Sequence, residues 1–158
     1  MQCLRRVLFA AVLSAGMSAM ASPVLAMASD SSSVGQSDTY QMGSKAIQAM
    51  DWQAAIEAFT KVVESDARNA DAWNYLGYAN RKLGNYDVAF KHYARALEID
   101  PKHKGAHEYL GEAYLLVDNL AKAEEHLAKL DDICLFGCNE YSALKKAVAE
   151  YKKKRSSS

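Results

Sequence analysis

The residues best suited to chemistry are two cysteines four apart, in Cys134-Leu135-Phe136-Gly137-Cys138. Gly137 permits a backbone that is not helical, so the two sulfurs can meet. Three kinds of chemistry use such a pair. A disulfide would close a small turn worth about 2 kcal/mol in the chain-entropy account, less any strain. Two thiolates would also suit Cu(I) or zinc. Zinc needs two further ligands, and His126 is the only histidine nearby in sequence. Thiol exchange is the third, although a three-residue spacer is not the usual CxxC arrangement.

The remaining candidates offer less. His92 and His103 fall at polar helix or turn positions, and His107 at a packing position. Asp131-Asp132 is an acidic pair at a helix end, where calcium would need several more oxygens. The chain carries no HExxH, Gly-rich phosphate loop or GxSxG element. Without a catalytic constellation, neither an enzyme nor a cofactor is expected.

The elements that must position these residues begin with the ends of the chain. The 158 residues are half apolar and 24 % charged, with zero formal net charge. That is enough for one domain with additions, and it lacks the basic excess of a nucleic-acid binder. Arg5 and Arg6 precede an apolar run from Val7 to Met20, followed by Ser22-Pro23-Val24-Leu25-Ala26. This is the three-part pattern of a secretory leader over 1–26, cut after Ala26 or Ala28. The other reading is a membrane anchor, but a spanning helix needs roughly 20 apolar residues and this run is shorter. A cleaved, exported chain without membrane insertion is expected, most simply in the periplasm. Cleavage would also remove Cys3, leaving an even number of cysteines, which favours a disulfide between Cys134 and Cys138. From Lys145 onward there are six bases and one acid, a split that a solvated tail accounts for.

Between the ends the sequence repeats every 34 residues. Gly43, Gly77 and Gly111 form one column; Met42, Leu76 and Leu110 another; Ala55, Ala89 and Ala123 a third. Phe59, Tyr93 and Leu127 stand in phase, as do Trp52, Tyr86 and Leu120. Each unit holds two stretches with apolar residues at i, i+3, i+4 and i+7, hence two helices. Small residues at Gly77 and Ala89 let the pair approach closely, Gly84-Asn85 marks the turn, and Pro101 ends the second helix. A lone pair leaves faces uncovered, and stacking buries them.

The combination of Trp73, Leu76, Gly77, Ala89, Tyr93, Ala96 and Pro101 resembles the tetratricopeptide repeat. The expected fold is therefore all-α: a right-handed superhelical stack of three helix-turn-helix repeats, at 37–69, 70–103 and 104–135. A linker over 27–36 precedes it; a capping helix over 136–155, N-capped by Asn139, and a tail over 156–158 follow. Tyr141, Leu144, Val148 and Tyr151 on one face would cover the third repeat. The family's closing proline is missing at Ala67 and Leu135, and Asn80 replaces an aromatic.

The resemblance implies that the first helix of each pair lines a concave, peptide-binding face. Carried over position by position, the groove comprises Ser37, Tyr40, Ser44 and Gln48; then Asp71, Asn74, Tyr78, Arg81 and Lys82; then Glu108, Glu112 and Leu115. Asn74 can donate to and accept from a peptide backbone, Arg81 can pair with a carboxylate, and Glu108 and Glu112 with a base. The plain alternative is a solvated helix face. The Lys and Asn set with which one subclass grips chaperone C-termini is absent, since Tyr40, Ser44 and Gly105 stand in its place. The reading is thus a non-catalytic adaptor or assembly factor binding a protein or peptide. The alternatives are an envelope metal-handling or thiol-redox accessory protein using Cys134 and Cys138, and self-association through an incompletely capped first repeat.

Overall fold

The computed structural model describes residues 31–157, with side chains from Ser37 onward. The expected leader, its cleavage sites, residues 27–30 of the linker and Ser158 lie outside the described residues. Seven α-helices and no strand occur among the described residues: α1 Ser31–Gln48, α2 Trp52–Ser65, α3 Ala70–Lys82, α4 Tyr86–Ile99, α5 Lys104–Leu116, α6 Leu120–Ile133 and α7 Asn139–Ser156. Successive helices pair as α1/α2, α3/α4 and α5/α6, the pairs stack through α2/α3 and α4/α5, and α7 lies on both α5 and α6. The fold is an all-α helical repeat stack.

The repeat columns explain the pairing. Ala55, Ala89 and Ala123 are fully enclosed. A Cβ at Gly43 would stand 2.8 Å from the Phe59 ring, and one at Gly77 2.6 Å from that of Tyr93. The bare glycine is what lets each ring lie flat against the facing helix. The third unit departs from this pattern. Leu127 is too short to fill the space, and a Cβ at Gly111 would instead meet Leu144 of α7 at 2.5 Å. Leu144 is fully buried, so the last helix completes the third repeat's core.

Turns recur with the same period. Met50, Gly84 and Asp118 stand 34 apart and all have positive φ, at 58°, 82° and 61°. Only the middle unit places glycine there, the residue without a Cβ penalty in this conformation. The helix N-termini are capped by Asp51, Asn69, His103 and Asn119, each accepting from the backbone N–H three residues on.

Four expectations are corrected. The linker expected over 27–36 is helical from Ser31; once a helix is nucleated against α2, each further residue adds a hydrogen bond at the cost of ordering one residue. Met42, in the column of buried Leu76 and Leu110, is 64 % exposed, because no described helix packs on that side of α1. Asn139 begins α7 rather than capping it; Cys138 is the cap. Ser156, placed in the tail, ends α7, its hydroxyl donating to the Lys153 carbonyl. Buried Asn80 is satisfied by donating to the Leu76 carbonyl at 2.9 Å, which explains why it can replace an aromatic. No described helix is long and apolar enough to cross a membrane.

Candidate binding groove

The residues expected to line the concave face lie on α1, α3 and α5. Its floor is aromatic. Tyr40 meets Phe59 edge-on at 5.4 Å and Tyr75 at 6.2 Å, Tyr75 stacks on Phe59 at 4.9 Å, and Tyr78 lies 4.8 Å from Tyr109. Burial pushes the Tyr40 hydroxyl up to about 12, helped by Asp71 and Tyr75. It does the same to Tyr109, helped by Glu108 and Tyr78. Both phenols stay neutral in any ordinary buffer.

Arg81 is 8 % exposed. Its guanidinium pairs with Glu112 at 2.9 Å, donates to the Tyr93 hydroxyl at 3.3 Å and lies over the rings of Tyr78 and Tyr109. Burial opposes its charge, but Tyr93 and Glu112 outweigh that and raise its pKa. The free cation expected for a partner's carboxylate is thus spent inside the protein, bracing the floor. Lys82 is exposed and leans over Tyr78 at 5.2 Å.

The polar positions carry acid. Asp71 accepts from His103 Nε2 at 3.0 Å, and that hydrogen bond holds its carboxyl below the usual range. Glu108 behaves oppositely. Burial, then the neighbouring Glu112 and Glu140, raise it to about 7 against the opposing effect of Arg81. Asn74 is 4 % exposed and its Oδ1 has no hydrogen-bond partner. Its Nδ2 stands 3.1 Å from where a Gly105 Cβ would lie, so its amide reaches from α3 to α5. Ser44 donates to the Tyr40 carbonyl, and Ser37 and Gln48 are exposed. Leu115 lines a different hollow of about 710 Å³, between α5 and α7, with Ala147 and Tyr151.

Three groove members escape the position-by-position reading. Tyr75 and Tyr109 stand 34 apart, a column open to detection. Glu140 is hidden by one inserted residue. The residues that end α2, α4 and α6, Asp66, Asp100 and Cys134, are in phase, but the following caps are Asn69, His103 and Cys138. Allowing for that insertion, Glu140 takes the groove position of Ser37, Asp71 and Gly105, and Leu144 that of Tyr75 and Tyr109.

The cysteines occupy this same loop. Asp66 and Asp100 fold their turns by accepting from the N–H of Arg68 and Lys102. Cys134 cannot do so. It approaches Cys138 instead, with 5.7 Å between Cα atoms, a separation suited to a bond. Cys138 Sγ also accepts from the Tyr141 N–H at 3.4 Å. Behind the groove, His107 donates from Nε2 to the Pro101 carbonyl at 3.1 Å and accepts at Nδ1 from His126 at 2.9 Å. His92, expected at a polar position, is half-buried against Trp73.

Family profiles described as tetratricopeptide repeat match residues 40–104 and 80–148. The chain belongs to the tetratricopeptide repeat family. Solved structures agree on the fold. The TPR2B domain of yeast Sti1 in its pHsp70 complex superposes with a TM-score of 0.69 at 20 % identity, over 77 % of this chain and 98 % of that one. Yersinia enterocolitica SycD, a type III secretion chaperone in complex with a peptide of the translocator YopD, gives 0.67 at 19 % identity, over 77 % and 95 %. PcrH, in complex with the chaperone binding region of PopD, gives 0.67 at 20 % identity, over 77 % and 91 %. No curated protein sequence matches the chain.

Proposed function

We propose that this chain is a non-catalytic interaction module, an adaptor or assembly factor that holds a segment of a partner protein on its concave face. The observation that carries this reading is the braced aromatic floor of Tyr40, Tyr75, Tyr78 and Tyr109. Rigid rings fixed against Phe59 and Arg81 offer contact area while losing little freedom on binding. The structural neighbours SycD and PcrH, which hold a translocator peptide and a chaperone binding region, support the same use here. Crosslinking in the native envelope, repeated with Tyr40→Ala plus Tyr78→Ala, tests it. The captured proteins should be lost; an unchanged set sinks the proposal. Arg81 is left intact because its removal would take away the partner of Glu112 and loosen the floor it braces.

The proposed setting is the periplasm, resting on the leader pattern over 1–26. N-terminal sequencing of the protein recovered from cells should begin at Met27 or Ser29. There the Cys134–Cys138 pair is proposed to be oxidised, replacing the aspartate turns of the other loops. Intact mass without reductant should lie two hydrogens below the reduced form. Cys134→Ser should cost about 2 kcal/mol in denaturant melts, and equal masses with and without reductant would refute the bond.

A further inference from the structure

The loop between α6 and α7 exposes what a fold usually hides. Phe136 is 101 % exposed and Leu135 82 %, the highest values among the large apolar side chains of the described residues. Three residues close this turn: the Cα atoms of Cys134 and Cys138 lie 5.7 Å apart, and Gly137 takes a φ of 83°. Leu135 and Phe136 are left outermost. A single exposed apolar residue is ordinary, but two in succession on a short closed turn make a knob that packs on nothing in the core. Acid flanks it. Asp131 and Asp132 precede it and Glu140 follows, with no base between Leu130 and Leu144.

At the far end of α7 lies the open hollow of about 710 Å³. Leu115, Leu116, Ala147 and Tyr151 give it apolar walls, and Leu116 is 54 % exposed. Its volume is in the range of sites that hold an organic group rather than a water. Its rim is basic on balance. From Lys145 to Arg155 there are six bases and one acid, Glu150. Glu150 pairs with Lys146 at 3.9 Å, Glu124 of α6 with Lys152 at 2.5 Å, and Asp118 with Arg155 at 2.5 Å. Bases still outnumber these acids by two to one. Knob and hollow cannot meet within one chain, because roughly 18 Å of helix separates Asn139 from Tyr151 at 1.5 Å per residue.

We propose that the hollow takes the Leu135–Phe136 knob of a second copy of this chain, with the acidic flank of one copy against the basic rim of the other. Phe136 is the anchor, seated against the apolar walls, and the charges fix which end meets which. Knob and hollow are different patches, so the contact is heterologous and each copy offers both halves of it. The edge of α1 is a poorer surface for self-association. Asp38 and Lys45 stand where the next repeat buries Ala72 and Ala79, which leaves Met42 isolated between charges. The contact is also separate from the groove, since none of Tyr40, Tyr75, Tyr78 and Tyr109 lines the hollow.

Sedimentation velocity of the full mature chain over rising concentration tests this. The chain should self-associate, and less so at high salt, which screens the rim from the flank. Phe136→Ser removes the knob at a fully exposed site, and Ala147→Trp fills the hollow. Each alone should weaken association about thirtyfold, as loss of a seated anchor does. Mixing the two variants is the decisive step. One keeps an intact hollow and the other an intact knob, so the mixture should recover the association that each has lost. Circular dichroism of each variant, matching the parent, shows that both still fold. Tyr40→Ala plus Tyr78→Ala should leave association unchanged, so this inference and the groove reading fail separately. A parent chain that stays monomeric overturns the inference, as does association indifferent to Phe136→Ser. Association lost in both variants and not recovered on mixing would make the knob merely adhesive and overturn it too. A monomeric chain that captures another protein in a way Ala147→Trp abolishes would give the hollow to a separate partner instead.

Discussion

Two half-buried titratable groups pull stability in opposite directions with pH, and the signs follow from which state holds the proton more tightly. Glu108 is raised to about 7 by burial and its acidic neighbours, so the folded chain binds that proton better than the unfolded one. Its contribution is greatest below the ordinary carboxyl range and is lost as pH rises through 7. Glu108→Gln should therefore stabilise the chain by about 1 kcal/mol at pH 8, after allowing for solvent screening at a half-exposed site, and by nothing at pH 4. Equal melting temperatures at pH 8 would refute the shift. His126 is the reverse case. Burial, then His107, lower it to about 4, so its stabilising effect is present above 6.5 and is lost as pH falls towards 4. His126→Phe keeps a ring against Tyr114 and should flatten that acid limb, although the chain starts less stable because His107 Nδ1 loses its donor. Neither shift is legible in the sequence. Both depend on which helices enclose the side chain, and Glu108 and Glu112 look like an ordinary i, i+4 acidic pair until α7 brings Glu140 alongside.

At the scale of the helix pair, the 34-residue columns made most of the architecture readable, because identical pairs must bury identical faces. The columns fail where a neighbour is missing or substituted, as at Met42 and Leu127. They also conceal strain, since a turn position occupied by different residues looks unconstrained. Met50 and Asp118 adopt the left-handed conformation that Gly84 adopts freely. Asp118 is held there by Tyr151 and by Arg155 at 2.5 Å. Met50 is exposed, with its side chain largely in solvent, so Met50→Gly should gain about 0.5 kcal/mol, the steric relief exceeding the added unfolded-state entropy. Gly77→Ala should lose about 2 kcal/mol, because its Cβ would press into the buried Tyr93 ring. Urea melts of the two variants should shift their midpoints oppositely; movement in the same direction would contradict this account of the turns and contacts.

At the scale of the whole molecule, α7 does two jobs that the sequence presents as one. An amphipathic helix with Leu144 and Val148 inward and lysines outward reads as a cap. One inserted residue at the Cys134–Cys138 loop breaks the 34-residue phase, so its equivalence to α3 and α5 goes unseen. In the structure it supplies Leu144 to the cleft at Gly111 and Glu140 to the groove. Stability and recognition are thereby coupled through one buried side chain. Leu144→Ala should cost about 3 kcal/mol, the usual loss for a fully enclosed leucine, and the loss should be felt first in α7. Hydrogen exchange should show α7 amides opening while α3 and α4, held by Tyr93 and their own glycine contact, keep their protection. The proton affinity of Glu108 should fall in the same variant, because Glu140 leaves its side and water reaches it. A Leu144→Ala chain that loses protection evenly across all seven helices would mean that the stack melts as one unit, and that α7 is no more separable than the repeats it closes.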